Sequence, residues 1–208
     1  MFKNLLVGAV AAPLLFAAFS ASAMTYSFTN FTNNSNISLS DQLAVDVTGD
    51  ANSVYFKFTN NTFNNDVSSV GQIYFDIGTS SLSNMTIFAE NGVDFNIGAN
   101  PGELPGGNTI SFVSEFQFGA DKPAPKNGIA DSSDFLTISG TGNLASITTA
   151  LSSGNFKIGM HVIALADGKS DGYVTSPSSV PVPAALPLMA SALGAFGIAR
   201  RRNKAKAA

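Results

Sequence analysis

From Met24 to Val180 apolar and polar residues alternate with a period of two. Tyr26 and Phe28 alternate with Thr25, Ser27 and Thr29, and Leu43, Val45 and Val47 with Ala44 and Asp46. Val54, Phe56 and Phe58 alternate with Tyr55 and Lys57, and Ile73, Phe75 and Ile77 with Tyr74 and Asp76. Shorter sets occur at Met85 and Ile87 and at Val93, Phe95 and Ile97. Ile110, Phe112, Phe116 and Phe118 predict one face of a longer strand, and Phe156, Ile158, Met160 and Val162 another. Such alternation places one side of each strand inward and leaves the other wet. Turn formers separate the runs, at Thr48-Gly49-Asp50, Asn60-Asn61, Asn91-Gly92 and Asp167-Gly168. The pattern predicts an all-β fold, an antiparallel β-sandwich of jelly-roll type. One short helix is predicted over 143–151: Asn143 is placed to cap it, Leu144, Ile147 and Leu151 share a face, and Gly154 lies just past its end. The segments 100–107 and 119–133, rich in Pro and Gly, are the loops with room for a site.

The composition of this body supports a folded domain. It holds 17 Asn, 22 Ser and 14 Thr, yet also 13 Phe at regular spacing, which disordered polar chains lack. Five lysines face 14 acidic residues between 24 and 180, a net charge of −9. A surface that acidic argues against nucleic acid as a partner. The chain has no Cys and one His, which excludes disulfides, thiolate metal sites and any site needing two imidazoles.

The ends differ from the body. Lys3, the apolar run 5–19 and the small-x-small triplet Ala21-Ser22-Ala23 form a secretory leader, with cleavage by signal peptidase between Ala23 and Met24. At the other end Val180-Pro181-Val182-Pro183 precedes Ala184, Ala185 and an apolar segment reaching Ala199, in which Ser191 alone is polar. Arg200, Arg201 and Arg202 follow, with Lys204 and Lys206. Sixteen helical residues span about 24 Å, a short transmembrane helix whose arginines can snorkel to make up length. The basic cluster predicts a cytoplasmic end, with the body outside the inner membrane. The chain therefore divides into a leader (1–23), a β body (24–179) and a tail (180–208).

Proline motif, apolar segment and arginine cluster in this order resemble the PEP-CTERM sorting signal of Gram-negative bacteria. The matching positions are Val180, Pro181, Pro183, Ala184, Ala185 and Arg200 to Arg202; Val182 stands where the common form has Glu. The resemblance implies recognition of the tail by a membrane-embedded exosortase. It further implies release from the inner membrane to the cell surface or extracellular polysaccharide matrix. It assigns no activity to the body.

The body offers little catalytic chemistry. His161 is predicted on the face opposite Met160 and Val162, without a nucleophile elbow or a phosphate-cradling glycine motif elsewhere. Glu90, Glu103 and Glu115, with Asp94 near Glu90, supply carboxylates, but their spacing selects no pair. The expectation is a protein that is not an enzyme and has no cofactor, calcium being the one ion considered. Asp167-Gly-Lys-Ser-Asp171-Gly172 places acids at positions one and five and Gly at six of a calcium loop. Lys169 sits at position three and Ser178 where a bidentate Glu belongs, so solvated turn acids are the competing reading. Asp131 and Asp134 flank a serine pair and carry the same two readings. Tyr55, Tyr74 and Phe88 fall on the outward faces of their strands. There they either form an aromatic platform for sugar rings or meet a second sheet or a covering loop. The sequence thus points to an exported surface or matrix protein acting in adhesion or in exopolysaccharide and biofilm association. Its alternative is a secreted carbohydrate- or calcium-dependent binding module.

Overall fold

The computed structural model describes residues 23–61 and 68–176. Ala21 of the leader and the whole tail, from the proline motif (Val180, Pro181, Val182, Pro183) through Ala184 and Ala185 to Arg202, lie outside the described residues. So does the segment expected to form a transmembrane helix. Among the described residues no helix is long and apolar enough to cross a membrane.

The alternating segments form antiparallel strands. They are β1 (Met24–Asn30), β2 (Leu43–Gly49), β3 (Ser53–Asn60), β4 (Ser69–Asp76), β5 (Ser83–Asn91), β6 (Phe95–Ile97), β7 (Phe116–Ala120), β8 (Phe135–Thr141), β9 (Lys157–Ile163) and β10 (Asp171–Thr175). Helices α1 (Ala124–Asn127) and α2 (Leu144–Ser153) accompany them. The hydrogen-bonded order is β5-β8-β3-β2-β1-β10-β9-β4-β7-β6. This is one continuous sheet because β1 serves both halves: residues 24–27 pair with β2, and residues 28–30 pair with β10. The sheet curls until its edge strands β5 and β6 approach each other, giving a nearly closed, barrel-like body.

The core lies inside the curl. Phe75 of β4 meets Phe56 of β3 edge-on at 5.2 Å between ring centroids and also touches Phe58, Phe118 and Phe156. These rings come from both halves of the sheet and close it face to face. Helix α2 covers one side. Asn143 Oδ1 accepts the Ser146 amide at 3.1 Å, Gly154 takes the left-handed conformation that ends the helix, and Ile147 and Leu151 are buried. The Tyr26 hydroxyl donates to the Thr148 carbonyl at 3.1 Å and ties β1 to this helix.

Four expectations are corrected. The run Ile110–Phe118 is not one strand: Gly107–Ile110 is a 3-10 turn, Ser111 is left-handed, and β7 begins only at Phe116. Ile97 lies on the exposed edge strand β6 and does not share an inward face with Phe95. The outer face of β4 is not wet. The 99–112 loop folds over it, so Tyr74, Leu104 and Phe112 form a second apolar cluster beneath Phe31, Ala99 and Ile110. Gly159 of β9 makes that approach possible, since a Cβ there would stand 2.6 Å from Leu104 Cδ2 and 3.2 Å from Phe112 Cζ. The 119–133 segment is likewise part of the packing: Ile129 is fully buried and bridges to Val70.

Candidate functional site

The half of the sheet formed by β5, β8, β3 and β2 keeps its outer face open. Inward residues such as Val54, Phe56, Phe58, Leu136 and Ile138 are buried. Tyr55, Lys57, Thr137 and Ser139 therefore point outward, as period two requires.

Phe88 is 62% exposed, although burying such a ring would gain about 2 kcal/mol. It leans across β8, and its ring meets that of Tyr55 edge-on with centroids 4.9 Å apart. The two residues stand on strands separated by β8, so their backbones are about 10 Å apart. A register shift in β5 between Ile87 and Ala89 coincides with the position of Phe88. Tyr55 itself faces Thr48 on one neighbour and Ser139 on the other.

Polar groups frame the pair. Thr25 Oγ1 donates to Asp46 Oδ1 at 2.6 Å, and Lys57 Nζ lies 4.6 Å from the centroid of Phe135. Thr25, Asp46, Tyr55, Lys57, Phe88 and Thr137 line a shallow groove of about 480 Å³. Apolar ring faces beside hydroxyls, a carboxylate and an ammonium suit a ligand that is itself flat, partly apolar and rich in hydroxyls.

The expected partner of this pair is elsewhere. Tyr74 has no exposed surface; it is buried under the 99–112 loop, and its hydroxyl donates to the Pro101 carbonyl at 2.8 Å. Burial, with the charge of Glu103 adding to it, pushes its phenol well above the ordinary range. Tyr74 is corrected from a platform residue to a core residue of the outer cluster.

Asp167 and Asp171 serve as anchors. Asp171 is 1% exposed. Its Oδ1 accepts the Thr32 hydroxyl at 2.8 Å and the Asn34 amide at 2.7 Å, and its Oδ2 accepts the Ser35 amide at 3.1 Å. Asp167 accepts the Ser35 hydroxyl at 2.8 Å and the Lys169 amide at 3.1 Å. The Ser35 bond is the main reason its carboxyl is held below the usual range. Together the two acids pin the segment after β1 to the β9–β10 connection. Asp131 and Asp134 organise their own turn: Asp131 accepts the amide and hydroxyl of Ser133, and Asp134 accepts the amides of Ala130 and Asp131. Among the described residues, no three His, Asp or Glu side chains gather where they would hold a metal ion.

No protein-family model matches the chain, and no curated protein matches it. A solved structure described as "pH-induced modulation of Streptococcus parasanguinis adhesion by Fap1 fimbriae" superposes with a TM-score of 0.43 at 11% identity. The alignment covers 77% of this chain and 97% of that one.

The remaining candidates for chemistry are dispersed. His161 is half-buried beside Gln72, its Nδ1 2.5 Å from Gln72 Oε1. Desolvation lowers its pKa, and the charge of Asp171 opposes that in part. Glu90 lies on β5, and Glu103 in the covering loop. Glu115 accepts the Ile77 amide at 3.0 Å. The feature that sequence reasoning missed is Lys57 over Phe135, because no spacing rule pairs residues on neighbouring strands before the strand order is known.

Proposed function

We propose that this chain is a non-catalytic surface or extracellular-matrix protein that associates with polysaccharide through the outer face of β2, β3, β8 and β5. The pair formed by exposed Phe88 and half-buried Tyr55 carries this reading. A soluble domain gains by burying a phenylalanine, and one left on a hydroxyl-rich sheet face has the form of a stacking platform.

Delivery is read from the chain ends. Signal peptidase cuts after Ala23; β1 starts at Met24, so that cut leaves the strand whole. The tail from Val180 to Arg202 tethers the precursor in the inner membrane until an exosortase releases the body to the surface or matrix, where it contributes to adhesion or biofilm. The aromatic contacts between β3 and β4 favour describing the curled sheet as a jelly-roll-like sandwich.

Two measurements test the proposal. Titration of the full chain with neutral and acidic polysaccharides, beside the Phe88→Ala variant, tests the platform: binding that ignores the substitution counts against it. Intact mass of surface-extracted protein tests the sorting: material retaining residues 180–208 removes the exosortase from the account.

A further inference from the structure

The open face does not end at the aromatic pair. On β8, Thr137 beneath the pair is followed outward by Ser139 and Thr141, about 13 Å of strand. Thr141 stands opposite Ser53 on β3 and Ser83 on β5. Beyond it lies a hollow of about 400 Å³ lined by Asn52, Ser81, Ser83, Thr141 and Asn143. Ser81 and Asn143 also belong to a second hollow of about 670 Å³, which runs between the 79–81 loop and the outer side of α2 past Ser146, Thr149, Ser153 and Asn155.

The lining of these two hollows contains no Asp, Glu, Lys or Arg among the described residues, in a body of net charge −9. Most of the residues that line them carry a hydroxyl or an amide, with Ala51, Leu82, Ala145, Ile147 and Ala150 supplying apolar surface between them. Both group types donate and accept hydrogen bonds, as sugar hydroxyls do. A polyanion needs Lys or Arg along its path, and a polycation needs carboxylates. The charge-free lining offers neither. Volumes of this order are those of ligand clefts, and the two hollows share Ser81 and Asn143 as lining residues. Three of the hydroxyls are oriented by local bonds: Ser146 to Asn143 Oδ1, Thr149 to the Ala145 carbonyl and Ser153 to the Ala150 carbonyl.

We propose that this face binds a linear, uncharged polysaccharide that extends along β8 from the Tyr55–Phe88 pair into the hydroxyl-lined groove beside α2. The proposal rests on the platform reading above and adds the class of glycan and the path it follows. The pair supplies the stacking contact, and the groove supplies contacts that only a longer chain can reach.

The test is calorimetric titration of the full chain in detergent micelles. The probes are neutral gluco-, manno- and galacto-oligosaccharides, each as disaccharide and hexasaccharide, and a uronic-acid hexasaccharide. One neutral series should bind, its hexasaccharide at least about tenfold tighter than its disaccharide. The double variant Ser81→Arg, Thr149→Arg changes two exposed groove residues, and its melting transition should match the parent. It should bring the hexasaccharide down to the disaccharide's affinity and leave the disaccharide unchanged. Phe88→Ala should weaken both lengths. Equal affinity for the two lengths, or preference for the uronic-acid chain, overturns the groove while leaving the platform standing if Phe88→Ala still weakens binding. Absence of binding by every probe overturns the platform reading itself, and the groove with it.

Discussion

The carboxylate of Asp171 accepts the backbone amide of Asn34 at 2.7 Å, joining the start of β10 to the segment that leaves β1. The same group takes the Ser35 amide and the Thr32 hydroxyl, and Thr32 Oγ1 in turn accepts the Gly172 amide at 2.7 Å. An Asn at 171 would keep one carbonyl oxygen but turn an amide N–H toward the Ser35 donor. Asp171→Asn should therefore cost about 1–3 kcal/mol, the penalty of a buried donor left without an acceptor. The urea midpoint would fall with the slope unchanged; a midpoint equal to the parent's would show that the three bonds are dispensable.

Tyr55 and Phe88 are partners across an intervening strand, which separates their binding role from a structural one. Edge-on aromatic pairs contribute about 0.5–1.5 kcal/mol beyond the area they bury. A double-mutant cycle on Tyr55→Ala and Phe88→Ala should recover a coupling of about that size. Phe88→Ala should not unfold the protein, because Phe88 is largely in solvent. Loss of glycan binding in Phe88→Ala with a retained melting transition would then report on the ligand face itself. A collapsed transition would mark the pair as structural.

The core is less forgiving. Phe75 touches four other phenylalanine rings and is fully buried. Truncation to Ala leaves a cavity between the two halves of the sheet and should cost about 3–5 kcal/mol. Denaturant unfolding checks this; a loss under about 1 kcal/mol would mean that the halves close around the void.

Why some of this could be read from the sequence and some not follows from which interactions are local. Alternation located β1, β2, β3 and β9 because each buries one face in a common core; β8, with Leu136 and Ile138, was not among the runs read. Helix α2 was legible from its cap at Asn143 and its stop at Gly154. Tyr74 was left open between a platform and a covered position for a different reason: period two gives the side of a strand, not what later covers it. The covering loop was read as free because Pro and Gly are polar-loop signals, and its Leu104 and Phe112 were not matched to Gly159, some fifty residues away, which makes room for them. Phe88 and Tyr55 were each legible as outward residues, but their contact across β8 depends on strand order. The dual membership of β1 was hidden for the same reason, since a strand that changes partner midway keeps its alternation throughout.

Acid should weaken the fold through one imidazole before it reaches the carboxylates. His161 lies between Gln72 on β4 and Gly172 on β10, and burial lowers its pKa below the ordinary value near 6.5. The charged group facing it, Asp171, works the other way and limits the shift. A depressed histidine pKa means that the unfolded chain takes up a proton first as pH falls. Stability is therefore complete above about pH 6.5 and declines below it, until the folded imidazole is protonated as well. The slope in that window is at most about 1.4 kcal/mol per pH unit, since one proton is involved. Asp50, Asp131 and Asp167, held below the usual carboxylate range by local hydrogen bonds, add their own loss only at lower pH. His161→Gln keeps an amide beside Gln72 and has nothing to titrate. Urea titrations at a series of pH values should show the decline below pH 6.5 in the parent and a flat profile in His161→Gln down to the carboxylate region. The same decline in both proteins would assign it to the acids and remove His161 from the explanation.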